Sequence, residues 1–123
     1  MEIVDIITAD AERHGKRPGA VLTGLSIAVD RRGAKILHDN KTIAVLDPIE
    51  GSEHEFEAHM LTADNAAGFK ASCQVLFDQV RDMPGVQKIY AKFENPKLVE
   101  LAKMVGANIE KSDKKGFTWM TEL

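Results

Sequence analysis

The hydrophobic pattern of this chain changes its period at Gly33, and this change limits the folds that the chain can adopt. Before Gly33, apolar residues recur at helical spacing in two segments, residues 3–13 and 18–31. Pro18 suits the first turn of a helix, and Gly33 suits the end of one. After Gly33 come two short segments rich in branched residues, "AKILHDN" and "KTIAVLDP". They predict an antiparallel hairpin that turns at "HDNK".

Strand and helix signals then alternate to the end of the chain. A third strand is predicted at "EHEFEAHML", followed by a helix that ends at Pro84-Gly85. The segment "VQKIYAKFE" predicts a strand, and "NPKLVELAKMVG" predicts a helix with an asparagine cap and a closing glycine. The last segment, "ANIEKSDKKGFTWMTEL", predicts two strands joined at a glycine turn. The predicted order is therefore helix, helix, three antiparallel strands, helix, strand, helix and hairpin, which is an α/β (α+β) chain.

The composition indicates a single domain over residues 1–123 and argues against several classes of protein. With 123 residues and 44% hydrophobic content, the chain can bury a core of its own. Its net charge of −3 argues against a nucleic-acid partner, which needs a basic surface. Cys73 is the only cysteine, so an internal disulfide is excluded. No basic leader or long apolar run indicates export or a membrane span, so we expect a cytoplasmic protein.

The segment "SEHEFEAHML" carries histidines and glutamates in a mixture that is typical of zinc sites. A helical zinc motif needs its two histidines four residues apart, whereas His54 and His59 are five apart. In a strand, successive side chains alternate between faces, so these two histidines point to opposite sides. We therefore expect no metal site here. Glu57 and His59, by contrast, fall on one face.

The loop after this strand reads Asn65-Ala66-Ala67-Gly68-Phe69-Lys70 and leads into a predicted helix. A glycine lets the backbone approach an anion closely, and a helix N-terminus offers unpaired N–H donors. Farther along, Asn95 is followed by Gly106-Ala107 within "FENPKLVELAKMVGA". Through these residues and the order of its elements, the chain resembles the GCN5-related N-acetyltransferase (GNAT) superfamily over residues 34–123.

The resemblance implies a GNAT-like fold and acetyl-CoA as a ligand. The fold is a mixed, mostly antiparallel sheet of about five or six strands with helices on both faces. In the superfamily two neighbouring strands splay, and the acyl-pantetheine arm pairs with the open strand edge. Carried over to this sequence, the contacts to acetyl-CoA fall on the main chain of Met60, Leu61 and Thr62, on the loop residues Asn65, Gly68, Phe69 and Lys70, and on Asn95.

Transfer of an acetyl group to an amine needs a base that takes a proton from the ammonium form of that amine. Glu57 and His59 lie on one face of the strand that leads into the loop, and histidine titrates near neutral pH. We expect one of them to be the base; the alternative is that both are ordinary, partly exposed strand residues. The backbone N–H of Met60 or Leu61 would polarise the thioester carbonyl.

Two residues depart from the superfamily pattern. The tyrosine that often protonates the leaving thiolate is Ala102 here, and the last small residue of the loop is Lys70. Three hypotheses therefore stay open. The first is an acetyl-CoA-dependent N-acetyltransferase that acts on an unidentified amine. The second is a weakly active or inactive GNAT-fold structural or interaction protein, and the third is an α/β binding module for another ligand.

The finer resemblance is to small GNAT-like proteins of tailed bacteriophages, which act in head assembly or as internal virion proteins. It is carried by Glu57-Ala58-His59-Met60 before the loop, by "IYAKFENPKLVELAKMVGANIE" and by the aromatic last strand. It implies virion proteins as partners, and the host cytoplasm or the virion as the location. The chain itself is expected to be a monomer or a homodimer.

Overall fold

The computed structural model describes residues 1–93 and 95–123, and within them it contains four helices and six strands. Their order is the one that the sequence predicts. The elements are α1 Ile3–Arg13, α2 Pro18–Arg32, β1 Lys35–Asp39, β2 Thr42–Pro48, β3 Glu55–Thr62, α3 Ala66–Arg81, β4 Lys88–Ala91, α4 Pro96–Met104, β5 Ile109–Lys111 and β6 Trp119–Glu122.

The helix ends follow the local chemistry of the sequence. Pro18 stands in the first turn of α2, and Gly33 ends that helix in the left-handed conformation at φ 73°. Asn95 caps α4, because its side-chain oxygen accepts a hydrogen bond from the Lys97 N–H at 3.0 Å. None of the described helices combines the length and the apolar character that crossing a membrane requires.

The six strands form one mixed sheet in the order β1-β2-β3-β4-β6-β5. The predicted antiparallel pairing of the first three strands is confirmed. β4 lies parallel to β3, since α3 carries the chain from the end of β3 back to the start of β4. The final hairpin, β5 and β6, pairs antiparallel with β4 through β6. The fold is therefore the predicted mixed and mostly antiparallel sheet.

Helices cover both faces of the sheet and divide the core in two. On one face, Ile6 and Ile7 of α1 pack with Ile43 and Val45 of β2. On the other face, Val80 of α3 belongs to a cluster with Leu46, Phe56 and Val86. Successive residues of β2 thus point to opposite faces, and both sets are buried because both faces are covered.

β3 and β4 separate after a short paired region. Their pairing runs from Glu55 opposite Lys88 to Glu57 opposite Tyr90. β3 nevertheless continues to Thr62, where it is still paired with β2 on its other side. Among the described residues, no strand covers the β4 side of β3 beyond Glu57, which leaves a V-shaped gap in the middle of the sheet.

Candidate functional site

A cleft of about 650 Å³ passes through this gap and reaches both faces of the sheet. On the side of α3 and α4 its walls are mainly apolar, with Phe77 and Leu101 among them. On the side of α1 it is lined by charged and polar residues, including Glu57 and His59. The cleft therefore connects an apolar chamber with a polar mouth through the point where two strands diverge.

The register of β2 and β3 decides which backbone groups of β3 face the gap. In an antiparallel pair, residues alternate between those that turn both backbone groups toward the partner and those that turn both away. The Ala63 N–H donates to the Lys41 carbonyl at 2.8 Å, so the backbone groups of Ala63 point toward β2. Those of Leu61, two residues earlier on the strand, point the same way. Met60 has the opposite orientation and turns its backbone groups toward the gap, whereas Ala58 still adjoins the paired part of β3 and β4. The Leu61 backbone, which the sequence predicts as a contact, therefore pairs with β2 and does not face the gap.

The backbone N–H and carbonyl of Thr62 point toward the gap, but both already have hydrogen-bond partners within the chain. Its N–H donates to Asp10 Oδ1 at 3.0 Å, and its carbonyl accepts from the guanidinium of Arg13. Asp10 is almost buried, with a side-chain exposure of 9%, and it also pairs with His14 at 3.3 Å. The end of α1 thus closes the far end of the gap, and Thr62 is not free to bind a ligand through its main chain.

Glu57 and His59 lie side by side at the polar mouth, as the alternation of the strand predicts. His59 Nε2 is 3.3 Å from Glu57 Oε1, and the Glu57 side chain is only 15% exposed. On its other oxygen, Glu57 meets Lys92 at 3.7 Å, where β4 has just ended. His54 lies elsewhere, at the base of β3, with Nδ1 3.2 Å from the Gly85 carbonyl. β3 and the residue that follows β4 therefore bring together one carboxylate, one imidazole and one amine at the gap.

The N-terminus of α3 is occupied by acceptors from the chain itself. Asn65 is the helix cap, and its side-chain oxygen accepts from the Gly68 N–H at 2.9 Å. Asp64 Oδ1 accepts from the Asn65 N–H at 2.8 Å. The Asp64 carboxylate rests against Gly68 so closely that a Cβ at residue 68 would overlap it. The close approach of an anion that the glycine predicts is therefore made here by Asp64.

The first turn of α3 still has free donors. The Phe69 N–H bonds the Asn65 carbonyl, and the Gly68 N–H bonds the Asn65 side chain. Helix geometry leaves the first amides, those of Ala66 and Ala67, without partners inside the helix. Both residues are alanines, so their side chains give the sequence no indication that their amides could bind an anion.

A second groove, of about 470 Å³, runs between the start of α3 and α4. Phe69, Leu98 and Leu101 line both this groove and the main cleft, so the two are continuous. Lys70 and Lys97 stand on the wall of the groove and are exposed. The loop motif predicts Lys70 as a site residue, whereas Lys97 follows only from the packing of α4 beside α3.

Asn95 does not line either hollow, since its side chain is spent on capping α4. Ala102, on the same helix, does line the cleft, at the position where the superfamily often has tyrosine. Cys73 of α3 is another wall residue, and burial raises the pKa of its thiol to about 11. A thiol with such a pKa stays protonated at neutral pH and is a poor nucleophile.

Tyr90 is completely buried and faces the other side of β4 from Ile89. Its hydroxyl donates to Asp113 Oδ1 at 2.8 Å. Burial, with this hydrogen bond, raises the pKa of Tyr90 far above its ordinary value. The phenol therefore serves as a structural donor to the loop before β6, not as an acid in the cleft.

Thr121 carries an unusual polar group in the apolar part of the cleft. The residue is 7% exposed and belongs to the cleft wall. Its hydroxyl has no hydrogen-bond partner among the described residues. A buried hydroxyl without a partner is costly, and most such groups in proteins are paired. The wall thus offers one donor to whatever enters.

Comparison with known proteins finds chains of similar fold among solved structures. Neither protein-family models nor the sequences of curated proteins give a match. Among solved structures, an acetyltransferase from Thermus thermophilus is similar with a TM-score of 0.65 at 15% identity, covering 98% of this chain and 88% of that one.

Two further structures have a TM-score of 0.60. One is a chimera of the spermidine N-acetyltransferase SpeG from Vibrio cholerae and hSSAT, at 15% identity, covering 99% of this chain and 90% of that one. The other is the Campylobacter jejuni N-acetyltransferase PseH in complex with acetyl coenzyme A, at 14% identity, covering 100% and 92%. The similarity to these three structures runs over nearly the whole chain. This chain therefore has the fold of the GCN5-related N-acetyltransferases.

Proposed function

We propose that this chain is an N-acetyltransferase that uses acetyl-CoA as its acyl donor. The observation that carries the proposal is the cleft, which joins a groove at the start of α3 to the carboxylate of Glu57 through the gap between β3 and β4. An extended pantetheine arm bears amides like those of a peptide, so an open strand edge is a suitable surface for it.

Several features of the cleft fit a CoA thioester. Met60 presents both backbone groups to the gap. At the start of α3, the free amides of Ala66 and Ala67 and the ammonium of Lys70 suit a pyrophosphate, with Gly68 and Phe69 in the same turn. Asn65 and Asn95 contribute by holding the two helix ends in place.

The chemistry follows from the groups at the polar mouth. The bound thioester supplies an activated acetyl carbonyl. Glu57 is the better base of the predicted pair, because its side chain is the less exposed of the two and the His59 ring lies 3.3 Å from it. The Met60 N–H, which faces the gap, is placed to stabilise negative charge on the carbonyl oxygen, whereas the Leu61 N–H faces β2.

A second candidate is a GNAT-fold protein that keeps the cleft without turnover, for example in the assembly of a phage head or inside a virion. Ala102 supports it, since the cleft wall has no acid at the position where the superfamily often carries tyrosine. Asp64 supports it as well, because its carboxylate stands where a pyrophosphate would bind. Ala102 would weaken catalysis and Asp64 would weaken binding of the pyrophosphate, while the cleft itself is kept.

Calorimetric titration tests first whether the cleft binds acetyl-CoA. We expect acetyl-CoA to bind more tightly than S-acetyl-pantetheine, which lacks the phosphates, and Lys70→Gln to remove most of the difference. Lys115→Gln, at an exposed lysine outside the cleft and the groove, is the matched control. Failure of acetyl-CoA to bind at millimolar concentration would reject the enzyme.

Turnover is then measured as release of free thiol from acetyl-CoA. Spermidine is the first amine to try, because similar folds include a spermidine N-acetyltransferase chimera. Binding of acetyl-CoA without thiol release for spermidine and a panel of primary amines would favour the assembly protein over the enzyme.

A further inference from the structure

Lys92 occupies the place at which an acceptor amine has to arrive. It follows Ala91, the last residue of β4, and so stands where β4 leaves β3. Its Nζ is 3.7 Å from Glu57 Oε2 and 5.1 Å from the centre of the Phe117 ring. Phe117 in turn contacts Tyr90, so the Lys92 amine lies on the same face of the sheet as Glu57. The chain thus brings its own primary amine to the candidate base.

The other lysines on this face are engaged elsewhere. Lys114 pairs with Glu55 at 2.9 Å, and Lys88 stands between Asp113 and Glu122. Among the described residues, Lys92 is the only lysine that lines the cleft. Its side chain is 57% exposed, and an ion pair as long and as open as the one with Glu57 holds an amine only weakly. The amine can therefore leave the carboxylate and move into the gap.

We propose that Lys92 is an acyl acceptor in cis, so that the chain acetylates its own Lys92 ε-amino group. This inference rests on the proposed function, because it takes the acyl group from bound acetyl-CoA. Glu57 removes one proton from the ammonium, which frees the lone pair on Nζ. A bond then forms between Nζ and the acetyl carbon, and the bond between that carbon and sulfur breaks. The second proton leaves nitrogen and reaches the departing thiolate through water, which gives an acetamide and free CoA thiol.

Acetylation would change the mouth of the cleft. It replaces a cation that pairs with Glu57 by a neutral amide, so that among the described residues His59 is the ion-pair partner that the carboxylate keeps. Acetylated Lys92 therefore indicates that acetyl-CoA binds in the cleft with its thioester near this amine. It also removes one positive charge from the mouth of the cleft, which a second amine has to enter.

The test is to incubate the full chain with acetyl-CoA and to measure the occupancy of each lysine by peptide mass spectrometry. We expect Lys92 to be acetylated faster than the exposed Lys111 and Lys115 by about 10²-fold or more, because its amine is held at the site. The fraction modified at a given time should not depend on protein concentration. Glu57→Gln should slow the reaction at Lys92 by about 10² to 10⁴, and Glu53→Gln, at an exposed carboxylate, should leave it unchanged.

A second readout needs no turnover. Acetic anhydride acetylates lysines without any enzyme, and bound desulfo-CoA should slow the labelling of Lys92 but not that of Lys115. If acetic anhydride labels Lys92 at the same rate with and without desulfo-CoA, Lys92 does not lie beside the pantetheine arm of the bound ligand. The variant Lys92→Arg, which keeps the cation, should lose the rapid acetylation by acetyl-CoA.

The failures are distinguishable. If acetyl-CoA binds but Lys92 is modified no faster than Lys115, this inference is wrong and the proposed function stands. A rate at Lys92 that rises in proportion to protein concentration would show transfer between copies and would likewise overturn acylation in cis. If the chain does not bind acetyl-CoA at all, both the proposed function and this inference are rejected.

Discussion

His59 Nε2 lies 3.3 Å from Glu57 Oε1 on the face of β3 that turns toward α1. The two residues are neighbours because side chains two positions apart on a strand share a face. Their place at the cleft, however, results from the divergence of β4 just beyond Glu57. A carboxylate that is largely shielded from water, with an imidazole beside it, is a suitable proton acceptor for an incoming ammonium.

The first prediction concerns this pair. Glu57→Gln should lower the rate of acetyl transfer to an added amine by about 10² to 10⁴, because the amide cannot take a proton. His59→Ala should lower it less, since the carboxylate remains. Acetyl-CoA affinity, measured by calorimetry, should be the same in both variants and in the wild type. Equal rates in all three proteins would remove this face of β3 from the mechanism.

The second prediction concerns Asp64. Its carboxylate rests against Gly68 at the positive end of α3, where the phosphates of acetyl-CoA would bind. Asp64→Asn removes the negative charge and should tighten acetyl-CoA binding by about threefold to tenfold, as expected for one charge at a helix terminus. Calorimetry at low and high salt measures the change, which should shrink as salt screens the charge.

Two controls separate charge from general effects in the Asp64 experiment. Asp30→Asn alters an exposed carboxylate on α2 and should change nothing. S-acetyl-pantetheine, which has no phosphates, should bind the wild type and Asp64→Asn equally. A variant that binds acetyl-CoA less tightly than the wild type would show that Asp64 organises the loop for the ligand and does not compete with it.

The third prediction concerns pH. The hydrogen bond from Tyr90 lowers the pKa of Asp113 below its ordinary value, with further help from Lys88 and Lys114. A carboxylate with a lowered pKa stabilises the fold above the pKa of the unfolded chain, about 3.9, and this contribution is lost as the pH falls through the folded value. Tyr90→Phe should therefore be less stable than the wild type at pH 7, with a difference that vanishes in acid.

Urea unfolding at several pH values between neutral and acid measures this difference. The ion pair of Glu55 with Lys114 titrates in both proteins, so it cancels in the comparison. A gap between wild type and Tyr90→Phe that stayed constant as the pH fell would assign the effect to packing of the ring and not to the hydrogen bond.

The fourth prediction concerns Thr121. Valine has nearly the shape of threonine but lacks the hydroxyl, which has no partner among the described residues. Thr121→Val should raise the free energy of unfolding by about 1 kcal/mol, the lower end of what an unpaired buried polar group costs. If the hydroxyl bonds the ligand, the same variant should bind acetyl-CoA several times more weakly. Thr118→Val, at an exposed threonine, is the control for both measurements.

The Thr121→Val measurements can contradict two claims: that the hydroxyl is unpaired, and that it contacts the ligand. A less stable Thr121→Val protein would mean that the hydroxyl is paired in solution, for instance with water in the cleft. Unchanged acetyl-CoA affinity would mean that the hydroxyl does not contact the ligand.

Local patterns in the sequence determined the order of all the elements, the caps at Gly33 and Asn95 and the shared face of Glu57 and His59. Each of these depends on residues close together in the chain: a glycine that accepts positive φ, an asparagine that caps amides, or the alternation of a strand. The resemblance to the GNAT superfamily then predicted the fold, which the structure confirms.

Only the tertiary structure decided which groups meet at the cleft. The register of β2 and β3 turned the Leu61 backbone away from the gap. Asp10, which is distant in the sequence, accepts a hydrogen bond from the Thr62 N–H. The packing of β4 beside β3 brought Lys92 to Glu57. These relationships join segments that are distant along the chain, and they depend on how the sheet pairs and where it splays. No local propensity carries that information, because pairing partners and register are set by the packing of the whole sheet.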